Sequence, residues 1–332
     1  KYASFGEKKS CVFLSDKLSP HQPPPLGSFG TRLIICVIVF YPFCSTTCIS
    51  AQYQNTPGVA SFLSHNLITR NIIMNNRINK LRKLSVEAEP TLSIERALIE
   101  TEFYKDNYGK YPIPVLRALN FKEICKRKTI YIGEDELIVG ERGPKPKAVP
   151  TFPELTCHSA EDLNVLNTRE LQRYTICRED IVTYEKEVIP YWEGKTQRER
   201  IFGHVPDEWR AAYEAGLFTE FMEQRAPGHT ALDGKIYKMG MLDFKKQIAA
   251  ELKKLDFLND PEATDKQEQL SAMDISCDAV ILFAERHAQL ADDMADKLDV
   301  QIKEKSEDNV VISLKTRTAE LRKIAEVCRR VP

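Results

Sequence analysis

The sequence predicts a mainly α-helical chain that carries one short β-hairpin near residues 129–140. Three observations support that reading. After Met74, apolar residues recur at three- and four-residue steps, as one face of a helix requires. Thr129-Ile130-Tyr131-Ile132 and Glu136-Leu137-Ile138-Val139, rich in β-branched side chains, flank the turn Gly133-Glu134-Asp135. Charge also shifts along the chain: about a tenth of residues 1–73 are charged and about a third from Met74 onward, against an ordinary globular share of ~25%.

That shift divides the chain into a low-charge leader, residues 1–73, and a helix-rich part, residues 74–332. The leader's apolar run, Leu33 to Cys44, is about a dozen residues, shorter than the ~20 needed to span a bilayer. It has the length of a signal-peptide core but begins about thirty residues in, and Met74 is the first methionine. The leader therefore reads as upstream or disordered sequence, with Met74 as the start of the protein proper. Cys44 and Cys48 have the spacing that opens a radical-SAM iron–sulfur motif, but Ala51 occupies the third cysteine's place. No metal site is expected.

From Ser93, which can cap it, a helix runs through Ile94, Ala97, Leu98 and Thr101. A second follows Tyr111–Pro114 and carries Leu116, Leu119 and Ile124. After the hairpin, residues 141–154 read as a Pro/Gly/Lys loop. Ser159 with Asp162 makes a capping-box start for the next helix, and another spans about Glu179–Trp192. Pro206 opens a helix with the stripe Trp209, Tyr213, Leu217, Phe218, Phe221 and Met222. Asp243 caps one bearing Phe244, Ile248, Leu252 and Leu255. Pro261 opens a long helix from Leu270 to Ala291, and a polar break near Lys303–Asn309 precedes a last helix with Leu314, Leu321, Ile324 and Val327.

Composition narrows function mainly by exclusion. A formal net charge of −1 with interleaved signs offers no electrostatic reason for a nucleic-acid or membrane partner. Cys125, Cys157, Cys177, Cys277 and Cys328 are widely spaced, which suits reduced thiols in the cytoplasm better than disulfides. The dinucleotide and P-loop glycine motifs, the zinc-protease motif and the serine-hydrolase elbow are all absent. His287 lies on an apolar helix stripe and reads as a core histidine, and the abundant carboxylates read as solvated helix faces.

One segment stands apart: Phe218-Thr-Glu-Phe221-Met-Glu-Gln-Arg225-Ala-Pro227-Gly228-His229-Thr230. An aromatic helix ends at Pro-Gly, and a histidine sits on the turn, where binding residues concentrate. Imidazole there can donate to or accept from a substrate hydroxyl or carboxylate. On spacing alone the simpler reading is that His229 caps the helix end and Phe221 is core.

These residues, with Pro114-Val115-Leu116-Arg117-Ala118-Leu119, Glu136-Leu137-Ile138-Val139-Gly140-Glu141, Pro150-Thr151-Phe152-Pro153-Glu154 and Leu255-Asp256-Phe257-Leu258-Asn259-Asp260, resemble the glycyl radical enzymes of the pyruvate formate-lyase-like superfamily. The likeness extends from about Ile94 to Pro332 and is strongest toward the dehydratases of hydroxyproline. The resemblance implies the N-terminal part of a ten-stranded α/β barrel wrapped by helices, commonly homodimeric and cytoplasmic in anaerobes. It implies lyase chemistry on hydroxyproline to give 1-pyrroline-5-carboxylate, and a glycyl radical installed by a radical-SAM activating enzyme. It also implies that Phe221 and His229 are substrate-binding residues. The family's Gly-Cys-x-Glu motif and radical-glycine loop have no counterpart in residues 1–332, so no catalytic residue is assigned and the chain by itself is expected to be inactive. Two alternatives remain open: another glycyl radical lyase or decarboxylase, or a non-catalytic helical interaction protein.

Overall fold

The computed structural model describes residues 76–217, 233–304 and 308–332, and within them the chain is mostly helical. Helix α1 (Asn76–Glu87) precedes strand β1 (Thr91–Ser93), then come α2 (Glu95–Asn107) and α3 (Ile113–Arg127). Strand β2 (Ala148–Pro150) pairs in parallel with β1, Leu92 facing Val149. Thr175 bridges the other side of β1 at Thr91.

Five shorter helices follow: α4 (Ala160–Thr168), α5 (Arg178–Glu187), α6 (Ile189–Trp192), α7 (Gln197–Phe202) and α8 (Asp207–Glu214). The expected capping box forms: Asp162 N–H donates to Ser159 Oγ at 3.1 Å and Ser159 N–H to the Asp162 carboxylate at 2.9 Å. The helix expected over Glu179–Trp192 is broken at Val188 into α5 and α6. Pro190 supplies no N–H to the Lys186 carbonyl and its ring crowds that carbonyl. The α2, α4, α5 and α6 faces share one core, in which Ala97, Leu163, Tyr184 and Val188 are fully buried.

Helices α9 (Met241–Leu252), α10 (Ala263–Glu304) and α11 (Asp308–Cys328) complete the described residues. In α10, Ala284, Ala288, Ala291 and Ala295 recur in steps of four, three and four, as in a coiled-coil seam. Ala288, Ala291 and Ala295 share a core with Leu321, Ile324, Ala325 and Cys328 of α11. Small side chains let the two backbones approach closely, and Arg322 of α11 pairs with Asp292 of α10 at 3.0 Å on the rim. A third core joins α9 to α10 through Phe244, Ile248, Cys277 and Val280.

Several expectations are corrected. The hairpin near 129–140 does not form; that segment is extended and turned, without strand pairing. Ile132 and Val139 are instead buried in the α10–α11 core. The polar backbone groups that a hairpin would pair find side chains: Arg317 donates to Gly133 O at 2.8 Å and to Glu136 O at 2.9 Å, and Gly133 N–H donates to the Glu136 carboxylate at 2.9 Å. Burial of two apolar side chains on a helix pair outweighs a marginal two-stranded ribbon. Residues 141–154 are not wholly loop, since β2 lies within them. Ser93 does not cap α2; it belongs to β1, and its carbonyl accepts Thr151 N–H at 3.2 Å. Asp243 sits inside the first turn of α9 and reaches back to Gly240 N–H at 3.3 Å. Of the stripe's described residues, Trp209 is 48% exposed and Leu217 77%, while Tyr213 is half-buried.

Candidate functional site

Phe221 and His229, the residues singled out from sequence, lie in 218–232, outside the described residues. What leads into and out of that segment is defined. Gly216, at φ +71°, ends α8: its N–H donates to Tyr213 O at 2.9 Å and Leu217 N–H to Ala212 O at 3.0 Å. The left-handed backbone is open to glycine without steric penalty, so the chain can turn sharply there. Helix α8 is locked to α7 by Arg198, which donates to Tyr213 Oη at 3.2 Å, and by Arg210, which donates to Phe202 O at 2.7 Å. The Phe202 and Tyr213 rings meet edge to face at 5.0 Å.

On the far side a 3₁₀ turn (Asp233–Tyr237) leads to α9. Gly240 cannot cap α9 with a side chain. Met241 N–H donates instead to Val331 O and Leu242 N–H to Pro332 O, both at 3.0 Å. Two orphan amides of a helix N-terminus are thus satisfied by carbonyls about ninety residues away. A β-carbon at Gly240 would overlap the Pro332 carbonyl, so close approach explains the glycine.

A largely buried cluster of charged side chains lies on α2 and residues 151–154, and sequence reasoning missed it. Arg96 donates to Glu100 Oε2 at 2.7 Å, to Glu154 Oε1 at 2.6 Å and to Glu154 Oε2 at 3.0 Å. Asn120 Nδ2 donates to Glu100 Oε1 at 2.8 Å, and the Arg96 guanidinium lies 4.1 Å over the Phe152 ring. Burial and then the neighbouring Glu154 charge push Glu100 well above the usual carboxyl range. Burial also opposes ionisation of Glu154, but the charge and hydrogen bonds of Arg96 outweigh it and hold Glu154 below that range. In sequence, Arg96 and Glu100 look like an ordinary surface pair four residues apart. Only the convergence of α3 and residues 151–154 on that face buries them. Acid, anion and cation here satisfy one another inside the fold.

The cysteines behave as packing residues. Burial pushes Cys125 up to about 12 and Cys328 up to about 11, so both stay protonated thiols. Cys157 Sγ lies 3.7 Å from Tyr184 Oη. His287 is buried as expected from sequence; its Nδ1 is 2.8 Å from Phe283 O and burial holds its pKa below the usual value. No group of three or more His, Cys, Asp or Glu positioned for a metal ion occurs among the described residues. None of their helices is long and apolar enough to cross a membrane. An open cleft of about 600 Å³ between α9 and α10 is lined by Glu251, Lys254, Asp260 and Lys266. These are already paired, Lys254 with Glu251 at 2.6 Å and Lys266 with Asp260 at 2.8 Å, as on a solvated surface.

Comparison with known proteins follows the same residues. The family described as "Pyruvate formate lyase-like" matches residues 73–332. The trans-4-hydroxy-L-proline dehydratase of Clostridioides difficile is 46% identical over 256 residues, covering 77% of this chain and 31% of that protein. The isethionate sulfite-lyase of Desulfovibrio desulfuricans is 31% identical over 269 residues, covering 77% of this chain and 30% of that enzyme. The crystal structure of the C. difficile hydroxyproline dehydratase with trans-4-hydroxy-L-proline bound superposes with a TM-score of 0.69 at 45% identity, over 78% of this chain and 31% of that one. The chain thus spans about a third of the length of these relatives.

Proposed function

Because the chain belongs to the pyruvate formate lyase-like family, we propose that it is part of a glycyl radical dehydratase that removes water from trans-4-hydroxy-L-proline to give 1-pyrroline-5-carboxylate. The observation that supports this substrate over others is the difference in identity: 46% to the hydroxyproline dehydratase against 31% to the isethionate lyase, over similar lengths.

The residues of this chain would contribute binding. Phe221 supplies an apolar wall against the pyrrolidine ring, and His229 a polar contact to the bound substrate. The described cysteines do not fit the radical-transfer role. Cys125, Cys277 and Cys328 are buried in helices, Cys157 contacts Tyr184, and Cys177 accepts from Asp180 N–H at the start of α5. No step is therefore assigned to them, and residues 1–332 by themselves should not turn substrate over. In the complete protein the radical would be installed by a radical-SAM activating enzyme, and the functional unit would be a cytoplasmic homodimer. Residues 74–332 form the part that matters for this activity, and the leader 1–73 does not contribute.

The test is anaerobic assay of the complete, activated protein with trans-4-hydroxy-L-proline and, in parallel, with isethionate. Formation of 1-pyrroline-5-carboxylate is the expected result. Sulfite release from isethionate without dehydration of hydroxyproline would replace this reading with another lyase of the same family.

A further inference from the structure

One guanidinium faces two carboxyls where α2, α3 and residues 151–154 converge, so the charges of Arg96, Glu100 and Glu154 do not cancel. The Glu100 side chain is 2% exposed, that of Arg96 10% and that of Glu154 24%. The other titratable or charged groups near them are Tyr104 on α2 and, on α3, Arg117, which is exposed to solvent. Neutral Asn120 donates to Glu100, and the Thr151 carbonyl and Phe152 ring face Arg96. An unbalanced charge in such a place is costly, and one proton removes it. The better solvated Glu154 keeps its charge, so the proton falls on Glu100.

The backbone carbonyls of Glu154 and of Leu155 next to it hold a second set of partners. Gln197 N–H donates to Glu154 O at 2.9 Å and Arg198 N–H to Leu155 O at 3.0 Å. These are the first two amides of α7, which have no partner inside their own helix. Thr196 Oγ1 takes the third, Glu199 N–H, at 3.1 Å. Beyond α7, the Arg198 side chain reaches Tyr213 of α8.

We propose that Arg96, Glu100 and Glu154 form a latch closed by a single proton, and that Glu154 is a positioning residue that holds α7, and through Arg198 α8, against the α2–α3 pair. Helix α8 leads in sequence to Phe221 and His229, so the consequence for substrate placement rests on the function proposed above. The latch itself does not.

The sign of the pH response follows from Glu100. A carboxyl held above its unfolded value contributes stability that is complete below the ordinary glutamate pKa of ~4.3 and is lost as pH rises through the folded value. The test is hydrogen exchange at the Gln197 and Arg198 amides of the full chain between pH 5 and 8, for wild type, E100Q, E154Q, E100Q/E154Q and L163A. The wild-type protection factor divided by that of E100Q should fall about tenfold or more across the range, since one pH unit of displacement is worth a factor of ten. Each single glutamine variant leaves Arg96 one carboxylate and should remain protected. The double variant leaves it none, and should lose more protection than the two singles together. L163A, which weakens the same core without touching the charges, should lower protection by the same factor at every pH. A wild-type to E100Q ratio that is flat with pH, or a double variant no worse than the sum of the singles, would overturn the latch. None of these readouts depends on turnover.

Discussion

Arg286, in the middle of α10, donates to the carbonyl oxygen of Cys125 at 2.6 Å and, through its second nitrogen, to that of Lys128 at 2.9 Å. These are carbonyls at the end of α3, where the helix leaves acceptors without intrahelical partners. A planar guanidinium serves both at once. Lys128 in turn sends its ammonium to Glu141 O at 3.1 Å and Arg142 O at 2.9 Å, so α10, α3 and the loop before β2 are joined at one point. Hydrogen bonds to a charged group contribute about 1.5–3 kcal/mol. Arg286→Met should therefore lower unfolding stability by about 2–3 kcal/mol in denaturant titration, part of the loss being offset by its apolar stem. Arg286→Lys should recover only part of it, because a lysine cannot span two carbonyls in one plane.

Trp192 Nε1 donates to Thr101 Oγ1 at 2.8 Å inside the α2–α6 core, and the same hydroxyl donates to Ala97 O at 2.6 Å. Thr101→Val keeps the shape but leaves the indole N–H buried and unpaired. The expected cost is about 1–3 kcal/mol, checked by thermal unfolding with tryptophan fluorescence as readout. Trp192→Phe in the Thr101→Val background should cost less than the two changes added separately, since the unpaired donor is then gone.

Gly143 is buried, and a β-carbon there would overlap the carbonyl oxygen and Cβ of Ala148 at the start of β2. Backbone cannot yield as a flexible side chain can. Gly143→Ala should displace β2 from β1 and destabilise by about 1–3 kcal/mol, as overpacking does. Faster exchange of the Thr91 and Thr151 amides, which donate to Lys147 O and Ser93 O, is the local signature to look for. Gly234→Ala, where a β-carbon meets nothing within 4 Å, is the matched control and should change little.

His287 is neutral in the fold because burial holds its pKa below the usual 6.5, and His158 is held low by burial too. A base with a depressed folded pKa contributes stability that is present above its unfolded value and lost as pH falls through the folded one. These two histidines should therefore lower stability below about pH 6.5, against the opposite slope from Glu100. In an E100Q background, which removes that opposing slope, His287→Gln should flatten the decline of the urea midpoint between pH 7 and 5.

For the proposed reaction, His229→Ala in the complete, activated protein should lower kcat/KM by about ten- to a hundredfold, the scale of one hydrogen bond to a charged or polar substrate group. Phe221→Ala should raise KM more than it lowers kcat, as expected for an apolar wall that binds ground and transition states alike. Unchanged turnover in His229→Ala would remove that residue from the site.

The sequence by itself determined the helical character, the Ser159–Asp162 cap, the long α10 and the buried state of His287, together with the family. Each rests on spacing of three, four or seven residues, or on a short contiguous motif, and such patterns are local. Tertiary structure decided the rest. Ile130–Val139 has strand-like residues, yet Ile132 and Val139 go to the α10–α11 core and Arg317 takes the carbonyls of Gly133 and Glu136. Ser93 has the residue type of a cap but serves a strand, because Pro150 and Thr151 arrive beside it. Glu100 looks like one more helix-face carboxylate. Asn120, twenty residues on, helps cover it, and burial with the charge of Glu154, fifty-four on, raises its pKa well above the usual carboxyl range. A local pattern shows which face a residue occupies, whereas the elements that cover that face come from far along the chain. Coverage sets the cost of a charge.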